Sequence, residues 1–199
     1  MKENVFGSIR LFLALTVLLG FAYPALVWGV GQVAFREKAD GGFLGKEEGG
    51  RPGTIVGSAL IGQSFHSRRY FSSRPSAAGD AGYDATASGG TNLGPTSKKL
   101  SDSIRDRVAA LRADNPSLAG SPVPADAVTA SASGLDPHIS PEYARLQIAR
   151  VSRETRIPAA DLETLVAART EGRFLGLWGA PRVNVLLLNL EVAKRTKDP

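Results

Sequence analysis

Residues 11–35 decide the fold: they read LFLALTVLLGFAYPALVWGVGQVAF and carry no charge between Arg10 and Arg36. A helix rises about 1.5 Å per residue, so this run is long enough to cross the ~30 Å hydrocarbon core of a bilayer. The run is also longer than the apolar region of a secretory signal, and no A-x-A cleavage site follows it. We therefore predict an uncleaved transmembrane helix at 11–35, preceded by a short tail at 1–10.

Three features of this run suit a membrane helix. Trp28 is close enough to one end to reach the headgroup level, and Pro24 is tolerated where a neighbouring group replaces the lost hydrogen bond. Ala25 and Gly29 form a small-xxx-small pair that would let a second helix approach closely. Basic residues flank the run on both sides, so charge counting leaves its orientation open.

The composition of the chain excludes several classes of protein. Its 199 residues suit one domain with an appendage rather than a multidomain enzyme. Cysteine is absent, which excludes disulfides, thiolate zinc sites and iron–sulfur clusters, and two histidines are too few for a histidine-rich metal site. The net charge of +5 is modest, and no aromatic platform accompanies the basic residues. We therefore expect no metal and no nucleic-acid partner.

After the membrane run, we predict a Gly-rich tether at 36–53 and a single mixed domain at 54–199. Apolar spacing and end signals predict helices at 97–115, 140–155 and 158–170, with Gly172 as the stop of the third. Residues 54–61 are expected to begin a sheet, and the apolar run 183–192 is expected to be a covered strand. The predicted fold class is α+β, with helices beside a small sheet.

The chain carries no convincing catalytic motif. Residues 41–46 resemble a phosphate-binding loop, but the glycine spacing is one position short, and Glu47 stands where a Ser or Thr should hold magnesium. We expect no catalytic residues. The alternative is a membrane-anchored hydrolase that uses His138 and Asp136.

The segment 76–96 is rich in glycine and nearly free of large apolar side chains, and its most unusual part is 88–96, SGGTNLGPT. A loop this long is usually functional or ordered by a partner. Its glycines could expose amides to a nucleotide phosphate or simply supply positive φ angles in a tight turn. We favour a third interpretation, in which the loop lies against another protein and Asn92 and Thr96 supply hydrogen bonds.

Six blocks in the same order resemble the KdpC family, the C subunits of Kdp-type potassium-transporting ATPases, over nearly the whole chain. The blocks are the membrane run with Tyr23-Pro24, GSALIGQSF at 57–65, YFSSRPSA at 70–77, SGGTNLGPT at 88–96, VTASASGLDPHISP at 128–141, and TEGRFLG with PRVNVL at 170–176 and 181–186. Departures are few. One of them is Ala132, where the family usually has glycine.

The resemblance implies a single-pass subunit of the inner membrane whose C-terminal domain lies outside the cytoplasm. The implied partners are a channel-like potassium-translocating subunit, a P-type ATPase subunit, a small single-helix subunit and membrane lipid. The family's proposed role is that of a catalytic chaperone that raises the ATP affinity of the ATPase subunit in a ternary complex, with no cofactor held firmly by this chain itself.

The resemblance also implies two sets of site residues. The first set corresponds to stretches that the family likens to nucleotide contacts: Ser88, Gly89, Gly90, Ser131, Ser133 and Gly134. The second set contains candidates for contact with partner subunits: Asn92, Thr96, Asp136, His138, Arg182 and Asn184.

Overall fold

The computed structural model describes residues 2–45, 54–115, 118 and 120–196. The chain divides into two compact units, Met1–Val56 and Gly57–Pro199, which are described separately. The tether predicted at 36–53 contains a short helix, α3 (Arg36–Ala39), and a short strand, β1 (Phe43–Gly45), in its described part. Its remainder, 46–53, lies outside the described residues.

The first unit is dominated by one long apolar helix, as predicted. Helix α1 (Lys2–Val17), a π-helical turn (Leu18–Ala22) and α2 (Tyr23–Ala34) follow one another without a break. Within them, the helix Asn4–Ala34 contains an 18-residue stretch with a mean hydropathy of 2.1, and it is long and apolar enough to cross a membrane. None of its residues is buried. Helix α1 begins at Lys2. The described part of the tail predicted at 1–10 is therefore helical. Helix α3 (Arg36–Ala39) and strand β1 (Phe43–Gly45) follow.

The π-helical turn lies immediately before Pro24. The amide of Tyr23 donates to the carbonyl of Leu18, a step of five residues instead of four. Such a step widens the helix by one residue. The wide turn lies where the ring of Pro24 would otherwise crowd the preceding turn and where its missing N–H interrupts the hydrogen-bond ladder.

The second unit contains the three helices that the sequence predicts. Helix α4 (Lys98–Asp114) is capped by the side chain of Ser97, and α6 (Pro141–Thr155) by that of Ser140. Helix α7 (Ala159–Ala168) ends before the expected stop at Gly172 because Thr170 and Glu171 belong to a strand. A one-turn helix, α5 (Ala125–Val128), and a C-terminal helix, α8 (Val185–Thr196), complete the set.

The strand predicted at 183–192 is wrong over most of its length. Strand β5 covers only Arg182–Asn184, and α8 begins at Val185. The Asn184 side chain accepts a hydrogen bond from the amide of Leu187 at 3.1 Å, which is the contact of a helix N-cap. Val185, Leu188 and Val192 are all buried, and their spacing of three and four residues gives the helix one apolar face.

The strands are short and antiparallel. Strands β3 (His138–Ile139), β4 (Thr170–Glu171) and β5 form a sheet in the order β3-β5-β4, with His138 opposite Asn184 and Thr170 opposite Val183. Strand β2 (Ile55–Ser58) begins within the first unit and pairs with β1. It confirms the start of a sheet expected at 54–61, and the fold class is α+β as predicted.

The core of the second unit lies among α6, α7, α8 and the three-stranded sheet. Its fully buried members include Phe71, Val151, Leu162, Val166, Val183 and Leu188. Phe71 lies outside any helix or strand, and side-chain amides hold the extended segment around it. Gln147 accepts from the amide of Ser72 at 2.7 Å and donates to its carbonyl at 3.1 Å. This anchoring sets the point from which the long loop 74–96 departs.

Candidate functional site

Two Ser- and Gly-rich segments, residues 74–90 and 131–138, meet on the second unit and are here called the loop cluster. The amide of Ser131 donates to the carbonyl of Pro75 at 3.2 Å. Farther along, the carbonyl of Ser133 accepts two hydrogen bonds at 2.9 Å, one from the amide of Gly89 and one from the hydroxyl of Ser88. The sequence singles out both segments separately, and the structure brings them into contact.

The Ser76 hydroxyl is the centre of the loop cluster. It donates to the carbonyl of Gly134 at 2.7 Å and accepts from the amides of Ala78 at 3.1 Å and Tyr83 at 2.9 Å. The hydroxyl of Tyr83 donates to the carbonyl of Arg74 at 2.6 Å, and burial raises the pKa of this hydroxyl. These contacts fix the shape of a segment that contains no helix or strand.

Two glycines are needed where the segments touch. Gly134 has a φ of +68°, and a Cβ there would lie 2.6 Å from the Cβ of Ala78 and 2.7 Å from the Gly89 oxygen. A Cβ on Gly90 would lie 2.7 Å from the carbonyl oxygen of Ala132. Ala132 itself is exposed and has no positive φ. A glycine is therefore not required at that position, whatever the family usually has there.

Asp136 joins the two segments by charge. One of its carboxylate oxygens accepts from the Arg74 guanidinium at 3.0 Å, and the other accepts from the amide of His138 at 3.0 Å and lies 3.5 Å from its Nδ1. Partial burial opposes ionisation of Asp136. The contacts from His138 and Arg74 outweigh that effect and lower the pKa of the carboxyl below its ordinary value. Asp136 therefore remains a carboxylate that organises the loop.

The six residues likened to nucleotide contacts lie together in the loop cluster. Ser131 and Gly134 are buried, whereas Ser88 and Ser133 are exposed. Several of their polar groups already have partners. The Ser133 hydroxyl accepts from the amide of Leu135 at 3.1 Å, and the amides of Gly89 and Ser131 are bonded as described above. A phosphate-binding loop needs several free amides that converge on one point. In this cluster, the Gly89 and Ser131 amides instead bond to carbonyls of the cluster itself.

The six candidates for partner contact differ in accessibility. Asn92, which has a φ of +50°, Thr96 and Arg182 are exposed, and Asp136 and His138 are half-buried. Asn184 is buried, with its amide donating to the carbonyl of Ala59 at 2.7 Å. Asn92, Thr96 and Arg182 are therefore the most accessible of the six. Over the described residues, no group of three acidic or histidine side chains could hold a metal ion.

Sequence reasoning missed Ser76 and Asp126. Asp126 accepts from the Ser140 amide at 2.6 Å and from the Ser140 hydroxyl at 2.9 Å. Ser140 in turn accepts from the amide of Tyr143 at 3.0 Å to cap α6. The cap at Ser140 is visible in the sequence. Its support by Asp126, fourteen residues earlier, has no sequence pattern because it depends on the path of the loop between them.

Comparison with known proteins gives consistent matches along nearly the whole chain. The family model described as "KdpC: K+-transporting ATPase, c chain" matches residues 5–194. A "Potassium-transporting ATPase KdpC subunit" of Koribacter versatilis is 50% identical over 192 residues, which cover 96% of this chain and 95% of that protein. Proteins of the same description from Sorangium cellulosum and Myxococcus xanthus are each 51% identical, covering 96% and 98% of this chain and 97% and 90% of their own lengths.

Proposed function

This chain belongs to the KdpC family, the C chains of K+-transporting ATPases, and we propose that its soluble domain assembles and stabilises the Kdp complex through the surface around the loop cluster. It is a non-catalytic subunit with one N-terminal membrane-spanning helix. The hydrolase alternative is therefore not adopted. In the structure, Asp136 contacts Arg74 and His138 and acts as a structural link.

The observation that carries this proposal is that the loop cluster is rigid by its own hydrogen bonds and lies next to exposed polar side chains. Ser76 fixes three backbone groups, and Asn92 and Thr96 follow on the surface. A surface that is already ordered loses little conformational entropy when a partner binds. Such a loop is suited to docking on another protein.

We infer the finer arrangement from the family. The domain lies outside the cytoplasm and contacts the channel-like potassium-translocating subunit, while the apolar helix lies beside the helices of the P-type ATPase subunit and the small single-helix subunit. Residues Ala25 and Gly29 line an apolar groove on that helix, where another helix could approach. Membrane lipid surrounds the remainder of the helix.

We further propose that any effect on ATP affinity is indirect. A domain outside the membrane cannot touch cytoplasmic ATP, so a chaperone role requires coupling free energy transmitted between subunits. The internal use of the Gly89 and Ser131 amides supports this interpretation. Addition of the chain should then lower the KM of the complex for ATP without saturable ATP binding to the chain alone, measured by titration up to millimolar concentrations.

The docking surface can be tested with a matched pair of substitutions. Thr96→Arg adds a long charged side chain beside the loop cluster, and Thr164→Arg adds the same side chain on exposed α7, away from it. We expect Thr96→Arg to reduce recovery of the other Kdp subunits at least tenfold on purification of tagged full-length chain, whereas Thr164→Arg leaves recovery unchanged. Equal recovery with both variants would contradict the proposed surface.

A second test separates assembly from chemistry. His138→Ala should leave ATP turnover and potassium transport of the assembled complex unchanged per complex recovered. Loss of turnover with full assembly would instead show that His138 takes part in the reaction.

A further inference from the structure

The connection between β4 and β5 carries an apolar tip that the domain does not cover. This hairpin tip comprises residues 174–178, FLGLW. Phe174 is 71% exposed, Leu175 72%, Leu177 70% and Trp178 61%. Scattered exposed apolar residues are normal on a protein surface, but an adjacent group of large ones marks an interaction site.

The backbone of the hairpin tip satisfies its own hydrogen bonds. Phe174 and Trp178 exchange two of them, the amide of Phe174 donating at 2.8 Å and that of Trp178 at 3.0 Å. The amide of Gly176 donates to Arg173 at 3.0 Å, and that of Leu177 donates to Phe174 at 3.1 Å. An apolar medium offers no partners to amides, so a segment that enters it must pair them internally. The hairpin tip meets this condition for these four groups.

The shape of the hairpin tip is unfavourable for the isolated domain. Leu175 has a φ of +51°, a conformation that branched side chains rarely adopt. The rings of Phe174 and Trp178 lie 6.4 Å apart and form a small apolar group of their own. Backbone strain persists where its surroundings stabilise it, and a contact of the exposed apolar side chains would provide that stabilisation.

Arginine side chains flank the hairpin tip on both sides. No Asp or Glu occurs from 172 to 190, whereas Arg173 and Arg182 flank the tip. At the base, Arg182 forms an ion pair of 3.0 Å with Glu171. Aromatic and leucine side chains next to arginine are typical of segments that enter the headgroup region of a membrane, where anionic lipid attracts the cations.

We propose that the hairpin tip inserts into the interfacial region of the bilayer that holds the N-terminal helix. The same chain is fixed to that bilayer, so lipid is present at a high effective concentration around the soluble domain. A specific protein interface buries about 800 Å² per partner and has a polar rim that makes hydrogen bonds. Between Phe174 and Pro181 the one polar side-chain group is the indole N–H of Trp178. Lipid is the partner that requires no further polar groups.

The fluorescence of Trp178 can report on this contact, because the chain has only one other tryptophan, Trp28, which can be replaced. In full-length Trp28→Phe protein, Trp178 is the sole tryptophan, and its emission is excited selectively over that of the four tyrosines. This protein is reconstituted alone into vesicles of phosphatidylethanolamine and phosphatidylglycerol, with or without lipids that carry a nitroxide near the headgroup. We expect blue-shifted emission, at least twofold quenching by the nitroxide lipids, and weak quenching by iodide present on both sides. Trp178→Phe protein, which retains Trp28 in the span, is the positive control for lipid quenching.

A substitution within the hairpin tip tests the contact with lipid further. Leu177→Asp in the Trp28→Phe background should reduce lipid quenching at least threefold while leaving the far-ultraviolet circular dichroism unchanged, because the side chain is exposed. Emission typical of water with strong iodide quenching would overturn the proposal. It would also fail if shielding appeared only when the other Kdp subunits were added, or only at high protein-to-lipid ratio, since these results indicate a protein partner or a second copy.

Discussion

The side chain of Asn189 makes the two hydrogen bonds with the Phe71 backbone that a neighbouring strand would otherwise make. Its side-chain oxygen accepts from the Phe71 amide at 2.8 Å, and its side-chain nitrogen donates to the Phe71 carbonyl at 2.9 Å. Both residues are almost fully buried, so neither backbone group can turn to water. One residue of α8 thus satisfies an extended segment that has no sheet partner of its own.

Asn189→Ala should therefore be among the most destabilising single substitutions in the domain. It leaves a buried amide and a buried carbonyl without partners, each of which costs about 1–3 kcal/mol. We expect a loss of about 3 kcal/mol or more in the free energy of unfolding, measured by denaturant titration of full-length protein in detergent. Lys194→Ala, on the exposed face of the same helix, should change it by less than about 0.5 kcal/mol. Similar losses for both would contradict the role of Asn189.

A glycine series separates backbone conformation from close contact. Gly134→Ala combines a φ of +68° with atoms closer than 3 Å, and should cost about 3 kcal/mol. Gly120 also has a positive φ, of +80°, but no neighbour within 4 Å, so Gly120→Ala should cost about 1 kcal/mol. Gly94 has neither constraint, and Gly94→Ala should be nearly neutral. Thermal unfolding of the three full-length variants gives the order, and an equal effect at 134 and 120 would show that the close contact is unimportant.

The Asp136 carboxylate should make stability depend on pH. Asp136→Asn removes the ion pair with Arg74 and should cost about 2 kcal/mol at neutral pH. Because the pKa of Asp136 is lowered in the folded protein, its contribution is complete above the ordinary aspartate pKa of about 3.9 and is lost as the pH falls through the lower folded value. The difference in unfolding free energy between the two proteins should thus be constant from pH 7 to about pH 5 and shrink below about pH 4.

A matched substitution controls for the general effect of removing a negative charge. Asp80→Asn lies on the same long loop and is exposed, so it should change stability by less than about 0.5 kcal/mol at neutral pH. A pH-independent loss in Asp136→Asn would indicate that hydrogen-bond geometry, and not the charge, is responsible.

The two serine caps should differ in strength. Ser140→Ala removes both the cap of α6 and the hydroxyl contact with Asp126, while the amide contact remains, and it should cost about 2 kcal/mol. Ser97 caps α4 through a longer contact of 3.4 Å with Leu100, so Ser97→Ala should cost about 0.5 kcal/mol. Chemical denaturation followed by circular dichroism compares them. If Asp126→Ala and Ser140→Ala were additive in the double variant, the two residues would act independently.

Local signals explain which parts of the fold were predictable. Helix α6 follows from Ser140, Pro141 and Glu142, which are cap, first-turn proline and acid in consecutive positions. The apolar membrane run needs no tertiary information either. The start of α8 was missed because VNVLLLNLEV is apolar enough to suit a strand or a helix. The deciding residue, Asn184, acts as both the end of β5 and the cap of α8.

The candidate site was predictable as a set of segments but not as a geometry. Residues 88–96 and 128–141 stand out through glycine, serine and family resemblance. That Ser133 accepts from Ser88, or that Gly134 contacts Ala78, depends on contacts between residues far apart in the chain. The same applies to the buried position of Asn184, since its partner Ala59 is 125 residues away.

These long-range amide contacts determine when the domain can finish folding during synthesis. The partners of Ala59 and Phe71 are Asn184 and Asn189, which follow them by 125 and 118 residues in the chain. During synthesis, the backbone groups of Ala59 and Phe71 therefore remain unsatisfied until these later residues have been added. A chain that terminates before Asn184 lacks both side chains, so it cannot complete the contacts that hold these two early segments in place.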